Sequence, residues 1–185
     1  MTERKYIMSV MKKVYKCLFD TFISKTPESW QPIRNSFVKK YIKKCGGGIS
    51  IGRRCRIHKN TSIGCNSGVG RGCEINNGVT IGDNVMMGPE VLIYTQNHCT
   101  SNPDVPMRTQ GMTQIMPVII EDDVWIGARV CILPGVVIGK GSVIGACAVV
   151  SKSIPPYSVA VGNPAKVVKI RCNENTNTNN SAYLL

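Results

Sequence analysis

The sequence predicts an all-β solenoid, and three observations predict it. Aliphatic side chains recur every six residues, at Ile51, Ile57, Ile63, Val69, Ile75, Ile81, Met87 and Ile93, and again at Ile120, Ile126, Ile132, Ile138, Ile144 and Val150. Four places after each stands a small or β-branched residue, as at Cys55, Thr61, Cys73, Val79, Val124, Val130 and Ala148, and glycine often follows the aliphatic directly, as at Gly52, Gly64, Gly82, Gly127 and Gly145. Aromatics make up only 6% of the chain, so the core is expected to be built from small and branched side chains.

A period of six fits neither the 3.6 of a helix nor the 2 of a plain strand. Two inward positions per six residues fit a short strand followed by a corner. Three such units close a triangular coil, and each coil buries the face that its neighbour cannot bury alone. The repeat spans about four to five coils, assigned to residues 49–154.

From Ile93 to Ile120 is not a whole number of hexads, so a segment leaves the coil there. Residues 96–117 carry three prolines, a glycine and no hexad rule. A long loop in a compact repeat protein is usually functional. Its opening holds His98, one of two histidines in the chain. The other, His58, stands inside the regular repeat and is expected to be structural or exposed, far along the coil from the loop.

Residues 1–48 form a basic N-terminal region in which two helices are expected. Ile7, Met11, Val14, Leu18 and Phe22 mark one apolar stripe. Pro32 opens the second helix, with Ile33, Phe37, Val38, Tyr41 and Ile42 facing inward. Residues 1–44 hold eleven Lys or Arg against three acids, two thirds of the net charge of +12. The helices are read as a cap on the open end of the coil, with peripheral contact with an anionic membrane as the alternative. A C-terminal extension follows at 155–172, and the Asn- and Thr-rich tail at 173–185 is expected to be disordered.

The nine cysteines show no CxxC pair or zinc spacing, and no signal peptide or spanning segment is visible, so a cytoplasmic protein with reduced thiols is the expectation. Two histidines are too few for a three-histidine zinc site, and no metal is expected.

The runs IGDNV (81–85), VWIGARV (124–130) and the stretch from 132 to 170 resemble the hexapeptide-repeat acetyltransferases, most closely the maltose and galactoside O-acetyltransferases and the related polysaccharide O-acetyltransferases. The resemblance covers roughly residues 49–171. It implies a left-handed parallel β-helix, a homotrimer with sites between subunits, acetyl-CoA as co-substrate, a saccharide acceptor and no nucleic-acid partner. It also implies His98 as the general base, which suits the chemistry: an alcohol attacking a thioester must lose its proton as the bond forms, and a neutral imidazole can accept it. Asn84 matches an acceptor contact. Trp125, Gly127, Ala128, Ala146, Ser151, Lys152, Lys166 and Lys169 match positions along the CoA groove, the two last facing the nucleotide phosphates. A coil-edge N–H near Gly127 or Ala128 is the expected oxyanion donor, and Glu90, Glu121 or a main-chain carbonyl are candidates to orient the His98 ring.

Two other readings share the sequence. A serine or antibiotic hydroxyl could be the acceptor on the same fold, although the long antibiotic-enzyme loop and the large serine-enzyme helical domain have no counterpart here. A non-catalytic solenoid binding module would leave the loop and His98 without a purpose.

Overall fold

The computed structural model describes residues 10–11, 13–14, 17–19 and 21–171. The expected tail at 173–185 and the start of the first helix lie outside those residues.

The chain winds through three parallel sheets in turn. Strands β1 (Lys44–Cys45), β4 (Ser62–Ile63), β7 (Val79–Ile81), β10 (Val118–Ile120) and β13 (Val137–Ile138) stack in the first sheet. The second sheet contains β2 (Ser50–Ile51), β5 (Gly68–Val69), β8 (Met86–Met87), β11 (Trp125–Ile126) and β14 (Val143–Ile144). The third contains β3 (Arg56–Ile57), β6 (Glu74–Ile75), β9 (Leu92–Ile93), β12 (Cys131–Ile132) and β15 (Val149–Val150). Residues 18 apart pair, as Ser62 with Thr80 and Arg56 with Glu74. Thr80, however, pairs with Ile119, 39 residues on, so 21 residues leave the coil between them.

The hexad aliphatics all point into the prism, none more than 7% exposed, and the small residues four places later are buried beside them. Two of the three edges of the prism carry a left-handed residue at every turn, and the edge after the third sheet carries one only at Gly78 and Gly135. On the edge after the second sheet this file is Arg54, Gly72, Glu90, Arg129 and Cys147, with φ from 57° to 73°. The non-glycine members cost about 1–2 kcal/mol each. Ladder bonds on both flanks, such as Gly72 N–H to Arg53 O at 2.8 Å and Glu90 N–H to Arg71 O at 2.7 Å, hold them in place.

Two boundaries differ from those expected. The coil begins at β1, inside the segment assigned to the helical region, because Lys44 and Cys45 pair with Ser62 and Ile63. It also continues past 154: β16 (Ser158–Val161) adds a rung to the second sheet, and β17 (Lys166–Ile170) folds back antiparallel on it.

Helix α1 (Gln31–Tyr41) starts with proline in its first turn and caps the open first coil. Its buried face is Arg34, Val38 and Tyr41, spaced i, i+4, i+7. The expected inward residue Ile33 is instead 40% exposed. Arg34 takes the inner position because it satisfies carbonyls: Nε donates to Ile51 O at 2.9 Å and Nη1 to Pro27 O at 2.7 Å. Beside it the Asn35 side chain accepts from Ile51 N–H at 3.0 Å and donates to Ile49 O at 2.7 Å, acting as a strand partner for the exposed edge of the coil. The apolar stripe of the preceding helical residues also differs from expectation. Met11, Val14, Leu18 and Phe22 are exposed, and the residue that packs inward is Phe19, whose ring lies 5.8 Å from that of Tyr41. No helix among the described residues is long and apolar enough to cross a membrane.

Candidate active site

The ejected segment is an ordered hairpin-like arm. Met116 N–H donates to Thr95 O at 2.8 Å, Thr113 N–H to Asn97 O at 2.8 Å and Cys99 N–H to Gly111 O at 3.0 Å. His98 therefore stands on the outgoing arm, bridged antiparallel to Met112. The Gln96 side chain ties the two arms by donating to Thr113 O at 2.9 Å. The tip is closed by Gln110, whose amide donates to Asn102 O at 2.8 Å and Val105 O at 2.7 Å.

Under this arm lies a cleft of about 710 Å³, lined by His98, Gln96, Asn97, Thr95, Tyr94, Met112, Leu133, Asn76, Asn77 and His58. Its floor is one file of the edge between the third and first sheets. His58 N–H donates to Ile75 O, Asn76 N–H to Ile93 O, Tyr94 N–H to Ile132 O and Leu133 N–H to Val150 O, at 2.9 to 3.2 Å. His58 and His98 thus share a cavity, which corrects the expectation that His58 lies far from the loop. The reason is the 18-residue coil: two turns put His58 beneath Tyr94, at the root of the arm that carries His98.

The other expected site residues fall elsewhere on the prism. Ser151 and Lys152 stand on the same edge as the cleft, exposed, just after β15 and beyond Leu133. Gly127, Ala128 and Ala146 lie on the edge between the second and third sheets, and Trp125 lies outward on β11, 41% exposed, paired with Met86. Asn84 is on the remaining edge, exposed at φ 55°, with Asn66 Nδ2 donating to its Oδ1 at 3.4 Å. Lys166 and Lys169 are exposed on β17. One chain therefore brings His98 together with the file from His58 to Leu133, and Ser151 lies beyond that cleft on the same edge. It does not bring His98 together with Asn84 or with Ala128.

Three candidate roles change. The Gly127 N–H is held by Ile144 O at 2.8 Å in the coil ladder, so of that pair only the Ala128 N–H stays a candidate oxyanion donor. Glu90 pairs with Arg129 at 2.8 Å, and that guanidinium, hydrogen-bonded to it, holds its carboxyl below the ordinary range. Glu121 accepts the Lys140 N–H at 2.7 Å. Both carboxylates are therefore engaged away from the His98 ring.

Hexad reading missed His58, Asn76, Asn77, Tyr94 and Met112. Counting by eighteen would have found the file of His58, Asn76 and Tyr94. Nothing periodic marks Met112, which the fold-back of the arm delivers.

Comparison with known proteins now bears on this geometry. The family described as bacterial transferase hexapeptide (six repeats) matches residues 117–152. A maltose O-acetyltransferase from Clostridium difficile 630 is 35% identical, with a TM-score of 0.76 over 91% of this chain and 89% of its own. This chain belongs to the hexapeptide-repeat acetyltransferases. A second member of that family, a galactoside acetyltransferase solved in complex with coenzyme A, is 30% identical with a TM-score of 0.75, covering 92% of this chain and 84% of its own. Among curated relatives, a candidate acetyltransferase of Schizosaccharomyces pombe is 51% identical over 85 residues, 46% of this chain and 40% of the relative. The matched part is less than half the length of the curated relatives. The hexapeptide-repeat family thus accounts for the coil, the helical cap and the arm together.

Proposed function

We propose that this protein is a CoA-dependent O-acetyltransferase that moves acetyl from acetyl-CoA to a hydroxyl of a saccharide. The observation that carries this reading is the placement of His98 on an ordered arm over a cleft walled by Asn76, Asn77, Gln96 and Asn97, side chains that both donate to and accept from hydroxyl groups. Tyr94 in the same wall offers the flat face on which a sugar ring can lie.

In the proposed reaction the neutral His98 imidazole accepts the acceptor's hydroxyl proton while that oxygen attacks the thioester carbonyl. The C–S bond then breaks, and the imidazolium returns the proton to the departing thiolate. Direct transfer needs no acyl-enzyme, because holding both substrates in line removes much of the entropic barrier.

The relatives support the donor: one was solved with coenzyme A and another, from Vibrio cholerae, with acetyl coenzyme A. The CoA residues of this reading are Trp125, Gly127, Ala128, Ala146, Ser151, Lys152, Lys166 and Lys169, and Asn84 is its acceptor contact. Because these lie on different edges of one prism, the reading requires that neighbouring chains close each site, and a homotrimer is the assembly it proposes.

The test is CoA release from acetyl-CoA against a panel of saccharides, serine and antibiotic alcohols, with wild type and His98→Ala. Saccharide-dependent release, reduced at least a hundredfold by the substitution, is expected. Release that is indifferent to His98→Ala would refute its role, and transfer only to serine or an antibiotic would move the acceptor class. A monomer in sedimentation at micromolar concentration would refute the shared site.

A further inference from the structure

We infer that the acceptor site runs two coils down the prism from His98 to His58, and that it takes an uncharged saccharide of more than one sugar unit, with His58 contacting the distal unit. This inference rests on the acetyltransferase reading for its chemistry, but its binding prediction stands by itself.

The direction follows from the file on one edge. Leu133 and Ser151 continue it toward the C-terminal end, where Ser151 and Lys152 belong to the donor side in the proposed function. Tyr94, Asn76 and His58 continue it the other way. An acceptor that reaches His98 along this edge, from the side opposite the donor, lies along Tyr94, Asn76 and His58. Two rungs of a sheet separate Tyr94 from His58, about 10 Å, which is more than one sugar ring fills.

Size and continuity agree. At about 710 Å³ the cleft is in the upper part of the range of about 300–1,000 Å³ that buries drug-sized ligands. It does not stop at His58. A smaller cleft of about 110 Å³ shares His58 and Asn76 with it and continues to the Arg56–Glu74 ion pair on β3 and β6. The wall that this chain contributes is uncharged: none of the ten residues around the main cleft is Lys, Arg, Asp or Glu. The charged residues of the smaller cleft are paired with each other at 3.5 Å. On this wall an anionic sugar meets no unpaired Lys or Arg, while hydroxyl groups meet four amide side chains and two imidazoles.

His58 is already oriented for this role. Its Nδ1 accepts the Asn60 N–H at 3.1 Å, and Asn60 is tied across the rung to Asn77 at 2.8 Å. The ring is thus fixed by the corner of its own coil rather than ordered by the ligand, which lowers the entropic cost of the contact.

The experiment uses the full chain and two neutral ladders: glucose, maltose and maltotriose, and galactose, galactobiose and galactotriose. Binding is measured calorimetrically on His98→Ala protein with and without His58→Ala. Turnover is measured on wild type, His58→Ala and His58→Gln. The trisaccharide of at least one ladder should bind about tenfold tighter than its monosaccharide, and His58→Ala should remove most of that difference, as expected for a lost hydrogen bond of ordinary strength. In turnover, His58→Ala should raise the ratio of trisaccharide to monosaccharide KM about tenfold, with His58→Gln recovering part of it.

Equal affinity for one and three units, no binding of either ladder, preference for a uronic acid, or a KM ratio unmoved by His58→Ala overturns the inference. Transfer with no length dependence would leave the proposed activity standing and remove this site. Length-dependent, His58-dependent binding without transfer would do the reverse.

Discussion

Replacing Gly52 by alanine tests whether the close spacing of coils at the edges holds the prism together. An ideal Cβ at Gly52 would lie 2.6 Å from Arg71 N and 2.8 Å from Gly70 C, where ordinary contact begins at 3.4 Å. The shortfall is about 0.8 Å against backbone. That backbone is fastened on both sides, since Gly52 N–H donates to Val69 O and Gly72 N–H donates to Arg53 O, each at 2.8 Å. Opening the coils enough to admit the methyl would stretch such a bond to about 3.6 Å, beyond useful length. Overpacking of this kind costs about 1–3 kcal/mol, and each weakened bond about 1 kcal/mol more. The entropy that alanine removes from the unfolded chain offsets about 0.4–1 kcal/mol. The net loss is expected to be about 2 kcal/mol. Gly68 is the control: it points outward in the second sheet, its φ is not left-handed, and the nearest atom to an added Cβ is Ser50 Cβ at 3.9 Å. Gly68→Ala should be neutral or stabilising by up to about 1 kcal/mol. Urea unfolding at one fixed protein concentration, with matched m-values, measures both. A Gly52→Ala protein as stable as Gly68→Ala would refute the argument that contact between coils, rather than glycine's flexibility, fixes these positions.

Arg34→Met should cost about 2–4 kcal/mol, because it strands the buried Ile51 carbonyl and removes the bond to the part-buried Pro27 carbonyl that the guanidinium satisfies. Glu28→Gln should cost under about 1 kcal/mol, since the glutamate side chain is 63% exposed; equal losses in denaturant unfolding would show that the ion pair, not the carbonyl contacts, matters. Burial pushes the Cys55 thiol up to about 11 and, with the neighbouring Cys55 adding to it, the Cys73 thiol up to about 12, against an ordinary 9.0. Because the folded values are raised, the stability they confer is complete below pH 9 and is lost as pH climbs toward 11 to 12. Stability should therefore fall between pH 9 and 11, and less so in Cys73→Val; alkylation at pH 8 should label the exposed Cys65 and Cys147 and spare Cys55 and Cys73. Rapid labelling of the buried pair in native protein would contradict that account.

The core of this fold was legible in the sequence because each inward position is decided locally, by the alternation of a two-residue strand and a corner. Ile57 and Val91 needed no knowledge of what lies above them. Hexad spacing does not carry the identity of vertical neighbours, which depends on the 18-residue coil and on discounting the 21 residues of the arm. That is why Leu133 sits above Tyr94 although 39 residues separate them. Residue type misled in the cap as well. Arg34 reads as a solvent-facing cation and the stripe ending at Phe22 as a buried face, yet the chain buries the arginine, because an apolar side chain there would leave unsatisfied the Ile51 carbonyl of the first coil and the Thr26 and Pro27 carbonyls that precede the helix.

The same vertical logic bears on the site. Residues 18 apart are forced onto one edge, so no adjustment within a single prism can carry Asn84 or Ala128 across to His98. A reading that needs all three at one acetyl group is at once a statement about assembly. Within one chain, the groups that the winding places beside His98 are those of its own edge, and that edge extends toward His58.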